Sequence, residues 1–259
     1  MIYLNLKPVI PTIFPDNTSQ VWHLPEEIFN AHTVEIDWEF DNEGEFMHLA
    51  QLKGLLDAKN VRAHLTLKYL PYGRQDKAIS NDTTFALTVF AHLLNSLQFT
   101  HVAINDPHSS DALKLIYNSY AYYNTDALYN VVAELEVDHF CYPDNGAFMK
   151  YADIYDFADF SHGEKVRDQA TGNIISFKLI GNPAGKTVLI VDDICDGGAT
   201  FKILAADLYN AGAKQVFLFV SHGIFSKGLK TLKEAGIQRI FCPDGEVTEY
   251  KTRFIYRRL

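Results

Sequence analysis

The segment from residue 187 to residue 212 constrains the fold more than any other. It begins with an apolar, mostly β-branched run at 187–191, which is typical of a strand buried on both faces of a parallel sheet. Beyond a polar turn, apolar residues recur at helical spacing, at Phe201, Leu204, Ala205 and Leu208. The helix is expected to end near Gly212, because glycine commonly follows the last helical turn. A buried strand that leads into a helix predicts an α/β fold.

The same alternation of strand-like and helix-like patterns runs along the rest of the chain. Helical spacing predicts further helices over residues 46–56, 85–97, 148–155 and 229–235. Runs of strand-forming residues predict strands over residues 61–70, 101–105, 139–142, 174–180 and 216–220. We therefore expect two mostly parallel sheets flanked by helices. The apolar periodicity lapses at 123–126, which predicts an N-terminal domain of residues 1–125 and a C-terminal domain of residues 126–259.

Charge and composition argue against several classes of protein. The formal net charge is −9, whereas nucleic-acid-binding proteins usually carry a basic face, so we expect no nucleic-acid partner. Three widely spaced cysteines, at 141, 195 and 242, fit neither a disulfide framework nor a zinc site and indicate a cytoplasmic protein. No stretch approaches the roughly 18 apolar residues of a spanning helix, and no signal peptide is evident, so we expect a soluble protein without a membrane partner.

Carboxylates and a glycine-rich turn follow the apolar run at 187–191. The candidate ligand-binding residues in this loop are Asp192, Asp193, Asp196, Gly197, Gly198, Ala199 and Thr200. Glycines let backbone N–H groups close around a phosphate, and a helix N-terminus favours negative charge. The two adjacent carboxylates suit the vicinal hydroxyls of a ribose, so the loop predicts a ribose-phosphate site. The alternative is an acidic turn in which Asp196 caps the helix.

This loop resembles the ribose-phosphate signature of class I phosphoribosyltransferases and of phosphoribosyl pyrophosphate synthetases. Other segments resemble the synthetases alone: Pro-Tyr-Gly-Arg-Gln-Asp-Lys at 71–77, Asn-Asp-Pro-His-Ser at 105–109, Pro-Asp-Asn-Gly at 143–146 and Ser-His-Gly-Ile-Phe-Ser at 221–226. They occur in the family's order over nearly the whole chain. The resemblance implies two tandem phosphoribosyltransferase-like domains, ATP as co-substrate, Mg²⁺ as cofactor and a homo-oligomer of two or more chains.

The resemblance also implies roles for individual residues. It assigns ATP binding to Phe14, Asp16, Arg74, Gln75, Asp76, Lys77 and His108. Arg74 offers a planar fork to phosphate oxygens, and Gln75 can hydrogen-bond to a purine edge. The family pattern makes His108 and Asp144 magnesium ligands, although magnesium prefers oxygen.

The polar stretch at 161–173 predicts a mobile loop. Within it, Lys165 and Arg167 match the spacing of the two cations in the synthetases' catalytic loop. The resemblance implies that these two residues stabilise charge on the transferring phosphate. The alternative is a charged loop that is merely solvated.

Three features depart from the family pattern. The chain is short for a synthetase, with a trimmed first region. Thr18 stands where the family has Glu, which removes part of the nucleotide contact. Gly197 replaces Thr or Ser, and losing such a donor to a charged oxygen costs roughly 1.5–3 kcal/mol. The smaller residue also leaves room for a bulkier 5′ substituent on the sugar, such as the AMP group of ADP-ribose.

The leading functional hypothesis is transfer of the β,γ-diphosphate of ATP to the anomeric C1 hydroxyl of ribose 5-phosphate, giving phosphoribosyl pyrophosphate and AMP. One alternative is the same chemistry on ADP-ribose, for nucleotide or NAD salvage. A second is a phosphoribosyltransferase, which would have no use for the segment around Arg74 and Gln75. A third is a catalytically silent regulatory subunit, which the departure at Thr18 favours.

Overall fold

The computed structural model describes residues 1–78, 80–167 and 174–249, with the backbone alone at 165, 167 and 174–176. The chain divides into two compact units, Met1–Tyr122 and Tyr123–Leu259. We predicted a division after residue 125, in the segment where the apolar periodicity lapses. Each unit contains one large sheet, and no helix among the described residues is long and apolar enough to cross a membrane.

The described part of the first unit contains eight strands and four helices. In chain order they are β1 (Ile2–Leu4), β2 (Lys7–Pro8), β3 (Thr12–Ile13), β4 (Ser19–Gln20), α1 (Glu26–Phe29), β5 (Thr33–Trp38), α2 (Glu45–Asp57), β6 (Arg62–Leu67), α3 (Ala86–Ser96), β7 (His101–Asn105), α4 (Asp111–Leu115) and β8 (Ser119–Tyr122). The sheet has the order β2-β1-β5-β6-β7-β8, and β5 to β8 are parallel. β3 and β4 form a separate hairpin.

The sheet of the first unit has one apolar face and one polar face. Along β5, buried Val34 and Ile36 alternate with Glu35 and Asp37 on the opposite face. The buried set joins a core that includes Leu49 of α2 and residues of α3. The helices therefore cover the apolar face, which is the arrangement that a period-two pattern predicts.

The described part of the second unit contains seven strands and four helices. In chain order they are α5 (Thr125–Leu135), β9 (His139–Tyr142), α6 (Asn145–Tyr151), β10 (Phe160–Arg167), β11 (Ile174–Ile180), β12 (Thr187–Cys195), α7 (Ala199–Asn210), β13 (Gln215–Gly223), α8 (Lys230–Glu234), β14 (Ile237–Cys242) and β15 (Gly245–Glu246). The sheet order is β11-β10-β9-β12-β13-β14-β15, parallel from β10 to β14 and antiparallel at both edges.

Strand β12 is buried on both faces, as its continuous apolar run predicted. Val188 and Ile190 pack in the core that contains α7. Leu189 and Val191 face a second core on the other side of the sheet, which includes residues of α5 and α6. The predicted α/β fold of mostly parallel sheets flanked by helices is confirmed.

Two sequence predictions about local structure are wrong. The apolar run was expected to end at Val191, but β12 continues to Cys195 because the equally long β13 pairs with Asp192, Ile194 and Cys195. The polar residues from 161 to 167 were expected to form a mobile loop. They belong instead to β10, whose backbone pairs with β9 on one side and β11 on the other. Residues 168–173 of that predicted loop lie outside the described residues.

Candidate active site

The turn after β12 leads directly into helix α7. Gly198 is the residue that precedes the helix, with a φ of +76°, and it makes no side-chain cap. A Cβ atom here would lie 2.9 Å from Leu232 Cδ2, so glycine is required for packing as well as for backbone conformation. Because α7 begins at Ala199, the alternative in which Asp196 caps the helix is wrong. The Asp196 carboxylate instead accepts a hydrogen bond from the Ser226 hydroxyl.

The two adjacent aspartates of β12 lie in different surroundings. Asp193 is buried, and Lys150 Nζ donates a hydrogen bond to its Oδ2 atom at 3.3 Å. Asp192 is half-buried, and its Oδ1 atom accepts from the Asp193 backbone N–H at 2.9 Å. Burial, followed by the charges of Asp193 and Asp144, raises the pKa of Asp192 well above its usual value, although Lys150 opposes that rise. The end of β12 therefore carries closely spaced carboxylates, which hydrogen bonds from hydroxyl groups or ion pairs with cations would stabilise.

Helix α6 supplies the other charged groups of this region. Asp144 precedes the helix, and its Oδ1 atom accepts a hydrogen bond from the Ala147 backbone N–H at 2.9 Å, as a helix cap does. Lys150 lies in the last turn of the same helix. Because β9 and β12 are parallel neighbours, the segment after β9 meets the end of β12 at one edge of the sheet.

The segment at 221–226 forms one wall of the loop. The backbone N–H groups of Ile224 and Phe225 both donate to the Cys195 carbonyl oxygen, at 2.9 and 3.0 Å. Phe225 is fully buried beneath this turn. The sequence supported only a family resemblance for this segment, whereas the structure makes it the support of the turn that follows β12.

The two predicted catalytic cations lie on strand β10. Lys165 is paired with Phe177 and Arg167 with Ile174 in the β10–β11 ladder. Earlier in β10, a Cβ atom on Gly163 would lie 2.9 Å from the Pro143 carbonyl oxygen. The backbone of β10 therefore passes close to the turn that contains Asp144.

The predicted nucleotide-binding side chains of the first unit follow neighbouring parallel strands. Arg74, Gln75 and Lys77 are exposed in the segment after β6, where Asp76 is half-buried, and His108 is exposed after β7. Both segments lie at the same sheet edge because β6 and β7 are parallel.

The segment after β6 is held by a hydrogen bond at Tyr72. The Tyr72 hydroxyl donates to the Glu43 carboxylate at 2.6 Å, and this bond is the main cause that raises the pKa of Tyr72 to about 12. The Tyr72 backbone is in the left-handed region, with a φ of +62°. The hydrogen bond thus fixes a strained turn immediately before Arg74.

Phe14 and Asp16 lie in the separate β3–β4 hairpin. Phe14 packs edge-on against Trp22, with ring centroids 6.1 Å apart. Both the hydroxyl and the backbone N–H of Thr18 donate to Asp16 Oδ1, at 2.7 and 3.0 Å, and these bonds lower the pKa of Asp16. Thr18, which departs from the family's Glu, therefore orders this hairpin turn.

The sequence is similar to one known domain and to several characterised proteins. A model of the phosphoribosyl transferase domain matches residues 153–249. A ribose-phosphate pyrophosphokinase of Saccharolobus solfataricus is 27% identical over 238 residues, which cover 88% of this chain and 81% of the relative. Ribose-phosphate pyrophosphokinase 2 of Saccharomyces cerevisiae is 28% identical over 183 residues, 66% of this chain and 56% of the relative. The chain is thus similar to ribose-phosphate pyrophosphokinases over as much as 88% of its length.

The fold agrees with these sequence similarities. The crystal structure of phosphoribosylpyrophosphate synthetase from Mycobacterium smegmatis superposes with a TM-score of 0.72 at 20% identity, covering 90% of this chain and 78% of that one. The sequence comparisons support the predicted family resemblance and the predicted enzyme class, a diphosphokinase. The matched segment covers little more than half the length of the yeast relative.

The described residues contain no group of three or more His, Cys, Asp or Glu side chains arranged to hold a metal ion. The two predicted magnesium ligands, His108 and Asp144, belong to different units. Carboxylate oxygens nevertheless suit Mg²⁺, and the charge of Asp144 is one cause of the raised pKa of Asp192. The donor chemistry at the end of β12 therefore fits a divalent cation.

Sequence reasoning missed Lys150, the cation that contacts Asp193 at the end of β12. It lies 43 positions before its partner Asp193 in the chain. The available signal was a single lysine in the short helix that begins with the Pro-Asp-Asn-Gly segment. Only the adjacency of β9 and β12 identifies its partner.

Proposed function

We propose that this chain transfers the β,γ-diphosphate of ATP to the anomeric C1 hydroxyl of ribose 5-phosphate, giving phosphoribosyl pyrophosphate and AMP. The observation that carries the proposal is the end of β12, where Asp192 and Asp193 precede a glycine turn and the N-terminus of α7. Carboxylates accept hydrogen bonds from ribose hydroxyls, and the backbone N–H groups at a helix N-terminus bind a phosphate.

In the proposed reaction the C1 hydroxyl oxygen attacks the β-phosphorus of ATP in line. An oxygen–phosphorus bond forms as the bond to the α,β-bridging oxygen breaks, AMP leaves with that electron pair, and the hydroxyl proton is released. We assign the ribose hydroxyls to Asp192 and Asp193 and the 5′-phosphate to residues 196–200. Such a reaction depends mainly on alignment and on positive charge around the transferring group.

The remaining assignments follow the family resemblance. Phe14, Asp16, Arg74, Gln75, Asp76, Lys77 and His108 are proposed to bind ATP. Mg²⁺, when bound, would offset phosphate charge, and His108 and Asp144 are its proposed ligands. The proposed assembly is a homo-oligomer of two or more chains.

Release of AMP from Mg-ATP, measured with and without each acceptor, tests the proposal. ³¹P NMR of the product should show a new diphosphate ester when ribose 5-phosphate is present. A phosphoribosyltransferase would release no AMP but would consume phosphoribosyl pyrophosphate in the presence of a base. If neither acceptor supports AMP release, the silent-subunit alternative is favoured.

Replacing both Lys165 and Arg167 with alanine is expected to slow turnover by about 100-fold while leaving acceptor binding nearly unchanged. The two cations are proposed to act on charge that develops only as the diphosphate transfers. Single-turnover kinetics measure the rate, and calorimetry measures binding of ribose 5-phosphate. As a matched control, Lys178→Ala removes a cation from the neighbouring strand β11, where Lys178 pairs with exposed Glu164. Unchanged turnover in the double variant would exclude both residues from the mechanism.

A second acceptor, ADP-ribose, is favoured by the space around Gly197. A Cβ atom at this position would meet nothing nearer than the Lys227 side chain, whose Cδ and Cε atoms would be 3.5 Å away. That is an ordinary contact, so packing does not require glycine here, in contrast to Gly198. The absence of a side chain thus leaves the turn open to a larger 5′ substituent.

Gly197→Thr is expected to shift acceptor preference towards ribose 5-phosphate. The new hydroxyl can donate to a terminal phosphate, and the bulkier side chain narrows the turn against the AMP group of ADP-ribose. We expect the ratio of kcat/KM for ribose 5-phosphate to that for ADP-ribose to rise by about tenfold, the effect of one hydrogen bond to a charged group. Gly197→Ala is the control, since it fills the space without a donor. Equal ratios for both variants and the parent would argue against a role of Gly197 in acceptor choice.

A further inference from the structure

The turn after β13 places a lysine against the proposed phosphate loop. The methylenes of Lys227 lie beside Gly197, at the 3.5 Å distances that a Cβ atom there would have. The carbon stem therefore lies along the open side of the turn. The side chain is exposed, and among the described residues its ammonium group forms no ion pair.

The position of Lys227 is determined by the backbone on both sides of it. Ile224 and Phe225 donate backbone hydrogen bonds to Cys195, and the Gly228 backbone N–H donates to the Phe225 carbonyl oxygen at 2.7 Å. The adjacent Ser226 hydroxyl bonds to Asp196 within the loop itself. Lys227 is thus carried on a turn attached to the loop on two sides.

The charge of the loop explains why a cation would be favourable there. Asp192, Asp193 and Asp196 lie within five consecutive positions, and Lys150 bonds to Asp193. A phosphate that approaches residues 196–200 would meet this negative charge with backbone N–H groups as its donors. A lysine on the open side of Gly197 would offset that repulsion and replace the hydroxyl that glycine lacks.

We infer that the Lys227 ammonium group binds a phosphate on the 5′ side of the acceptor sugar and so contributes to acceptor selection. This inference rests on the proposed function for the identity of the loop. The shared ligand chemistry is a phosphate oxyanion attached to C5 of a ribose. It comes either from the monoester of ribose 5-phosphate or from the diphosphate of ADP-ribose.

Calorimetric titration of each acceptor into the full-length protein tests the inference. Lys227→Met keeps the length of the side chain and removes its charge, and we expect the Kd of the preferred acceptor to rise by about tenfold. Lys227→Arg should retain most of the affinity. Lys230→Met is the matched control, because Lys230 is an exposed lysine of the neighbouring helix α8 that pairs with Glu234. The acceptor that loses more affinity identifies which phosphate Lys227 contacts.

Steady-state kinetics give a second readout. In Lys227→Met the KM for the acceptor should rise while kcat and the KM for ATP stay constant. An unchanged Kd for both acceptors, or an equal loss in Lys230→Met, would overturn the inference, as would a parent protein that binds neither acceptor. The proposed function fails separately, if the parent protein releases no AMP from ATP with either acceptor.

Discussion

Lys150→Met is expected to lower the free energy of unfolding by about 3 kcal/mol and to abolish measurable acceptor binding. The side chains of Lys150 and Asp193 are 18% and 8% exposed, so the substitution leaves a carboxylate in a poorly solvated site. Burial and the neighbouring acids Asp193 and Asp144 also raise the pKa of Asp192, so the substitution removes a cation from a strand end already crowded with carboxylates. Urea denaturation measures the loss of stability, and calorimetry measures binding.

Two further variants separate the structural effect from the functional one. Lys150→Met combined with Asp193→Asn removes both charges, so most of the stability should return while acceptor binding stays lost. Lys178→Met breaks an exposed pair with Glu164 and is expected to cost less than about 0.5 kcal/mol. If Lys150→Met were no more costly than Lys178→Met, the buried pair would not be a structural element of the loop.

Gly223→Ala is expected to destabilise the chain by about 3 kcal/mol, because it overpacks a closed core. A Cβ atom at Gly223 would lie 2.1 Å from Phe225 Cε2 and 2.8 Å from Cys242 Sγ. Phe225 is fully buried and Cys242 nearly so, hence neither has a free direction in which to move. Displacing the Phe225 ring would also shift the turn that carries Lys227, so acceptor affinity should fall together with stability.

A compensating substitution tests the cause of this loss. Phe225→Leu alone leaves a cavity, but in the Gly223→Ala background it makes room for the new methyl group, so the two losses should be less than additive. Gly54→Ala is the matched control, since a Cβ atom there meets nothing within 4 Å. Gly54 lies within α2, where alanine should raise stability by about 0.5–1 kcal/mol. Strictly additive losses for Gly223→Ala and Phe225→Leu would show that the ring is not the obstacle.

The sequence predicted the bounds of a strand correctly where the residues of that strand alone have a clear strand-forming pattern. The bounds of β7, β9 and β11 agree with the sequence prediction, because each is a compact run of strand-forming residues between turn residues. The alternation of apolar and polar residues in β5 also indicates a sheet with one solvated face. By contrast, β10 is polar and was predicted as a loop, since only pairing with β9 and β11 makes it a strand.

The residues of 187–200 by themselves determined a buried strand, a glycine turn and a helix, because apolar continuity, backbone freedom and helical spacing are local properties. Tertiary structure decided how that turn is charged and supported. Lys150 reaches Asp193 because β9 and β12 are neighbours, and Lys227 reaches Gly197 because β13 extends as far as β12. Contacts between residues distant in the chain depend on strand order and register, and the periodicity of one segment does not encode either of these.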